Sequence, residues 1–217
     1  MSRLDHDTNE WQCKIVLFGA PTVGTVKLAA QLITTLPAAE RDIMWDAPLG
    51  NEPTLVAQFR PSVSAFSDIQ PVYGIHALRT AGSTATDRQH LLGNVDGVLL
   101  LLDVASTEEA GRAERELERF LGMFGKTIAS MPVVFLSSIP LDEAQRAAMN
   151  PRNQSLFAAD TTAGFTRALS TLTHLLEEDS GLAGIGFDLD DFEGDDSHAN
   201  DDDIEFDDLH AYDDDNP

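Results

Sequence analysis

The sequence predicts an α/β protein built on a doubly wound, mostly parallel sheet and followed by an acidic tail. Three observations carry that prediction. Short apolar runs of strand length alternate with segments whose apolar residues recur at helical spacing. Two of the runs, residues 98–102 (VLLLL) and 132–136 (PVVFL), are apolar without alternation, the pattern of strands buried on both faces. The first run, residues 15–18 (IVLF), breaks into Gly19-Ala-Pro-Thr-Val-Gly24 and resumes with Val26, Leu28, Ala29, Ala30, Leu32 and Ile33 at helical positions.

Taken in order, residues 1–11 read as a flexible lead-in and residues 12–177 as the folded domain. The first helix closes near Leu36 and Pro37. Residues 41–53, with Trp45 and Pro48, read as a loop. Residues 54–59 and 72–78 alternate as strands and suggest a hairpin-like pair around a Ser/Pro-rich connection. A short helical stretch falls within 82–94, ahead of the apolar strand at 95–103. Residues 108–124 form an amphipathic helix with Leu117, Phe120, Leu121 and Phe124 on its apolar stripe. A strand at 132–136, a short helix at 141–149 and a short strand at 156–158 follow. A closing helix over 161–176 turns Phe165, Leu169, Leu172, Leu175 and Leu176 inward.

Charge separates the tail from the body. The 217 residues carry a net charge of −23, and residues 177–217 hold 18 Asp or Glu with no Lys or Arg. The remaining 19 acids face all 14 bases, so the body is only mildly acidic at −5. No basic patch is present, which argues against binding nucleic acid through its phosphates. The single cysteine, Cys13, excludes a disulfide framework and fits a reducing cytoplasm. Residues 2–10 are polar, unlike a signal peptide, and no apolar run is long enough for membrane insertion.

Strand, glycine loop and helix at 15–33 make the frame of a P-loop, written G-x-x-x-x-G-K-[ST]. Gly19 and Gly24 have the required separation, but Thr25 stands at the lysine position and Val26 at the hydroxyl position. In a working loop the backbone amides cradle phosphate, the lysine adds positive charge and the hydroxyl holds Mg²⁺. Val26 cannot ligate a metal. Lys27 lies about 200° around the helix from the lysine position, so it does not replace it. The plainer alternative is that the two glycines only turn the chain between a core strand and a core helix.

The order of elements resembles a Ras-type small GTPase, and more narrowly the bacterial MglA family of gliding-motility and polarity GTPases. The resemblance covers residues 13–177 and rests on CKIVLFGAP, EPTLVAQFRP, LLGNVDGVLLLLDVA and MNPRNQSLFAADTTAGF. It implies a P-loop/Ras-like fold and a nucleotide site, but most of the working residues are replaced. The switch I threonine corresponds to Thr54 and the switch II glycine to Gly82, both retained. The arginine used in catalysis falls on Pro53 and the water-orienting glutamine on Ser83. The guanine-reading N-K-x-D falls on Ser137-Ser138-Ile139-Pro140, and Pro140 has no side-chain acceptor for the base. Loss of a transition-state arginine alone removes a factor of about 10³ or more in rate. The resemblance therefore implies a pseudo-GTPase that needs no cofactor and works through protein partners. Roadblock-type co-regulators or polarity proteins are the implied partners, and recruitment to a cell pole the implied location. The alternative is a divergent switch that binds GTP or GDP with Mg²⁺ and is completed by a partner.

Residues 178–217 are Asp-rich and predict a disordered tail. Two apolar clusters interrupt it: Ile185, Phe187, Leu189 and Phe192, then Ile204, Phe206, Leu209 and Tyr212. Acidic segments with spaced aromatics dock into basic or apolar grooves of partners. A solubilising tail and a polyanion mimic that blocks a basic surface are the alternatives. No EF-hand is present, because setting Gly194 at the glycine position puts Leu189 first in the loop. His174, His198 and His210 form no metal-ligand or catalytic spacing.

Overall fold

A computed structural model describes residues 2–19, 23–36, 41–49, 52–61, 69–78, 84–102, 107–137, 141–149, 155–158 and 162–180. All of them belong to one compact unit, Met1–Gly186, and a second unit, Phe187–Pro217, lies outside the described residues. The elements run β1 (Arg3–Asp5), β2 (Glu10–Gly19), α1 (Val23–Thr34), β3 (Arg41–Leu49), β4 (Glu52–Phe59), β5 (Gln70–Leu78), α2 (Ala85–Leu92) and β6 (Gly97–Leu102). They continue through α3 (Thr107–Gly122), a 3₁₀ turn (Ile128–Ser130), β7 (Val133–Ser137), α4 (Glu143–Met149), β8 (Leu156–Ala158) and α5 (Thr162–Asp179).

The strands form one mixed, mostly parallel sheet in the order β3-β4-β5-β2-β6-β7-β8. Strands β5, β2, β6, β7 and β8 are parallel, while β3 and β4 pair antiparallel at one edge. The expected antiparallel pair is β4 and β5, with Thr54 opposite Leu78. The unbroken apolar runs become the centre of the sheet, and every residue of β6 and β7 is buried.

Alternation along the strands sends side chains to two cores, because successive residues point to opposite faces. On one face Ile15, Leu17, Ile75, Leu99, Leu101 and Leu136 pack with Leu32 and Ile33 of α1 and with Phe165, Leu169, Leu172 and Leu176 of α5. On the other, Val16, Phe18, Val98, Leu100 and Phe135 pack with Leu91 and Leu92 of α2 and with Leu117, Phe120 and Leu121 of α3. Gly97 allows α5 to lie close on the sheet, since a Cβ there would stand 3.1 Å from Leu172 Cδ1.

Three features differ from the sequence reading. Within the 1–11 lead-in, Arg3–Asp5 pairs antiparallel with the start of β2, through a turn in which Asn9 takes φ 53°. Asparagine tolerates that left-handed conformation better than most residues. Residues 41–49 form an edge strand rather than a loop, with an irregular register between Met44 and Ala47. Pro48, read as a loop signal, is tolerated there because an edge strand can spare a ladder hydrogen bond. Phe124, placed on the apolar stripe of the helix, is 40 % exposed, because it caps α3 instead of continuing the buried face.

Candidate functional site

The sheet reverses its winding at β2. The chain leaves β2 toward β3, β4 and β5 on one side, and β6 lies on the other. In open α/β sheets the crevice outside the carboxyl ends of the strands, at such a reversal, is where ligands bind. Gly19 ends β2 at this edge, opposite Leu101 of β6, and α1 starts four residues later. Gly24, Thr25 and Val26 lie in the first turn of α1, while their side chains fall outside the described residues.

Several other positions expected at the site reach the same edge through the topology. Thr54, the third residue of the antiparallel β4, lies opposite Leu78, the last residue of β5, although its side chain is not among those described. Gly82 and Ser83 lie outside the described residues, in the connection between β5 and α2. Ser137 closes β7 beside Leu102 and Ala158, and is buried. Ser138 and Pro140, just beyond it, lie outside the described residues. So do the tail positions Phe187, Leu189, Phe192, Ile204, Phe206, Leu209 and Tyr212.

The described side chains add a feature that motif reading missed. Arg88 of α2 is only 3 % exposed and donates from Nη2 to the carbonyl of Gly19 at 2.8 Å. Its Nη1 bonds Glu116 of α3, and its guanidinium lies over the rings of Phe18 and Phe120, at 4.5 and 5.5 Å from their centroids. A planar cation suits this setting, since it stacks on aromatics while its fork satisfies two acceptors. Arg88 thereby links the start of the glycine loop to α2 and α3. Its two terminal nitrogens are turned to a carbonyl and a carboxylate, leaving only Nε without a partner among the described residues.

Helix α2 is held at its start by a capping box. Thr84 Oγ1 accepts from the Asp87 amide at 3.2 Å, and Asp87 Oδ2 accepts from the Thr84 amide at 2.8 Å. The Thr84 hydroxyl and amide bonds hold the Asp87 carboxyl below the usual range, because they favour its charged form. The Thr84-x-x-Asp87 spacing is the sequence signal of this box.

Around the middle of β2 lies a second group of titratable residues. Lys14 Nζ donates to the Gly93 carbonyl at 2.7 Å, and the Lys14 amide donates to Asp96 Oδ2 at 2.9 Å. Burial pulls the Lys14 pKa down to about 8, against the opposing pull of Asp96. Burial, with Lys14 nearby, lowers His76 to about 4, and its Nδ1 has no hydrogen-bond partner among the described residues. On the other face Tyr73 donates to Glu177 Oε1 at 2.8 Å. Burial raises the pKa of Glu177, and burial next to Glu177 raises Tyr73. Among the described residues no cluster of three or more His, Cys, Asp or Glu is placed to hold a metal ion.

No family model and no curated protein matches the chain. Fold and edge geometry define the class of the molecule as an α/β protein with a mostly parallel sheet and one topological reversal. Among the described residues no helix is long and apolar enough to cross a membrane.

Proposed function

We propose that the chain is a pseudo-GTPase of the Ras-like class, resembling MglA, that acts as a protein-interaction module in bacterial polarity or gliding motility. The observation that carries this reading is the coincidence of a P-loop-like frame with residues that lack its chemistry. Gly19, Thr54 and Ser137, matched by motif to three separate nucleotide-handling segments, all lie at or near strand ends at one edge of the sheet. The strand order around β2, with one antiparallel pair at the edge, supports the same class.

The donor set does not fit a magnesium nucleotide. Val26 offers no metal ligand, Thr25 no charge, Ser83 no water-orienting amide and Pro140 no acceptor for a guanine edge. Arg88, which touches this edge at Gly19, is committed to a carbonyl and to Glu116. In this reading the surface around Thr54 and residues 82–87 meets protein partners, and the acidic tail gives them a second contact. Two linked contacts raise overall avidity without new affinity in either. Retention of Thr54 and Gly82 favours the competing reading, a divergent GTP-binding switch completed by a partner.

Thermal shift and calorimetry on the full-length chain separate the two readings. A ligand at 100 times its Kd stabilises the folded state by about 2.7 kcal/mol. The expected result is no shift with millimolar GTP or GDP, with or without Mg²⁺. A guanine-selective, magnesium-dependent shift overturns the proposal in favour of the switch.

A further inference from the structure

Helix α3 turns one stripe outward that the site above does not use. Arg112, Arg115, Arg119 and Met123 follow each other at spacings of three, four and four residues, so they share one line along the helix. All four are exposed, and Met123 is 58 % exposed beside the 40 % exposed Phe124. The end of the line is capped. Gly125 takes φ 69°, its amide donates to the Gly122 carbonyl at 3.1 Å, and the Lys126 amide donates to the Leu121 carbonyl at 3.0 Å. This pair of bonds is a Schellman motif, which fixes Met123 and Phe124 on the last helical turn rather than in a loose loop.

The acids of the same helix keep their charge, but those whose side chains are described make other contacts. Glu116 is bonded to Arg88, Glu118 Oε2 accepts from the Ile128 amide at 2.9 Å, and Glu114 also has a partner. No ion pair engages Arg112 or Arg115 among the described residues. Arg119 lies with its guanidinium 4.6 Å from the centroid of Phe120, held along the surface. Gly111 leaves room for Arg115, whose Nη1 lies 3.2 Å from where a Cβ would stand. On a helix that also carries five glutamates, the three arginines make a short cationic line that ends in two large apolar side chains.

We propose that this α3 face is a docking surface for a partner's acidic segment that carries spaced large apolar side chains. Carboxylates meet the guanidiniums as charge-assisted pairs, and an aromatic or aliphatic anchor covers Met123 and Phe124. From Arg112 to Met123 the stripe runs about 16 Å at 1.5 Å per residue, the length of about three helical turns of a partner. A nucleic acid is disfavoured, because three arginines make only a short track on a chain of net charge −23. The surface lies on α3 and stands whether or not the nucleotide-site reading holds.

The test is fluorescence anisotropy with the full-length chain and a labelled peptide of suitable chemistry, the sequence DDDIEFDDLHAY of residues 201–212. The expected result is saturable, salt-sensitive binding that weakens about tenfold or more in Arg115→Glu/Arg119→Glu, since charge reversal turns attraction into repulsion. Met123→Ser/Phe124→Ser weakens it as well, and a peptide with its Ile, Phe, Leu and Tyr changed to Ser binds poorly. Unchanged circular dichroism melting shows that each variant is folded, and Arg112→Glu/Arg115→Glu replaces any variant that is not. Equal binding of the Ser-substituted peptide overturns the proposal, because charge alone then accounts for it. Unaltered affinity in both arginine variants also overturns it. Binding seen only after Ile204, Phe206, Leu209 and Tyr212 of the chain are changed to Ser makes its own tail the occupant, and the partner assignment falls.

Discussion

Arg88 is the residue on which the candidate edge depends most. Replacing it with Met leaves the Gly19 carbonyl and the half-buried Glu116 carboxylate without their shared donor. The expected loss is about 2–3 kcal/mol, below the full cost of breaking a buried ion pair because Glu116 is partly solvated. Urea denaturation measures it, and Arg88→Met/Glu116→Gln should lose less than the two single changes summed. Additive losses would show that the two side chains do not act as a pair. Cys13 gives a second residue-scale expectation. Burial, reinforced by Asp96, pushes its thiol well above the ordinary range. Only the thiolate reacts, so the native chain should resist a thiol reagent at pH 8 and react fully in denaturant. Rapid labelling of the native chain contradicts that placement.

At the scale of elements, the helix ends separate glycines that look alike in sequence. Gly122 and Gly125 both have open space around the position of a Cβ, but only Gly125 has a positive φ. Gly125→Ala should therefore destabilise by about 1 kcal/mol through left-handed strain, and Gly122→Ala should stabilise by up to about 1 kcal/mol through helix propensity. Thr84→Ala removes the hydroxyl of the α2 capping box and should cost about 1 kcal/mol. Denaturation midpoints check all three changes. This scale also shows where sequence and fold part company. The buried strands β6 and β7 are legible because a run of consecutive apolar residues has few other homes. Strand β3 is not, since Pro48 reads as a loop signal and only the pairing with β4 makes the segment a strand. The position of Phe124 follows from a single backbone angle at Gly125, which periodicity does not encode.

For the whole molecule, the site edge is legible as a frame and illegible as a mechanism. Gly19 marks the end of β2 and Thr54 lies near the start of β4, and topology brings the two to one edge. Arg88 carries no motif, because its role arises when α2, β2 and α3 converge from separate parts of the sequence. The same holds for the tie between Tyr73 and Glu177, 104 residues apart, which fastens the end of α5 to the sheet. That tie has a consequence for stability against pH. Burial raises the Glu177 pKa, so the folded chain holds this proton more tightly than the unfolded one. Its contribution is fully present below the unfolded glutamate value of about 4.3 and is lost as pH rises through the higher folded value. Glu177→Gln keeps an oxygen acceptor for Tyr73 and cannot ionise. Urea midpoints of the two proteins should therefore agree most closely near pH 4 and diverge above it, with Glu177→Gln the more stable at pH 8. The acidic tail titrates identically in both, so it cancels from the difference, and parallel curves across pH 4–8 would mean that burial of Glu177 does not govern its ionisation.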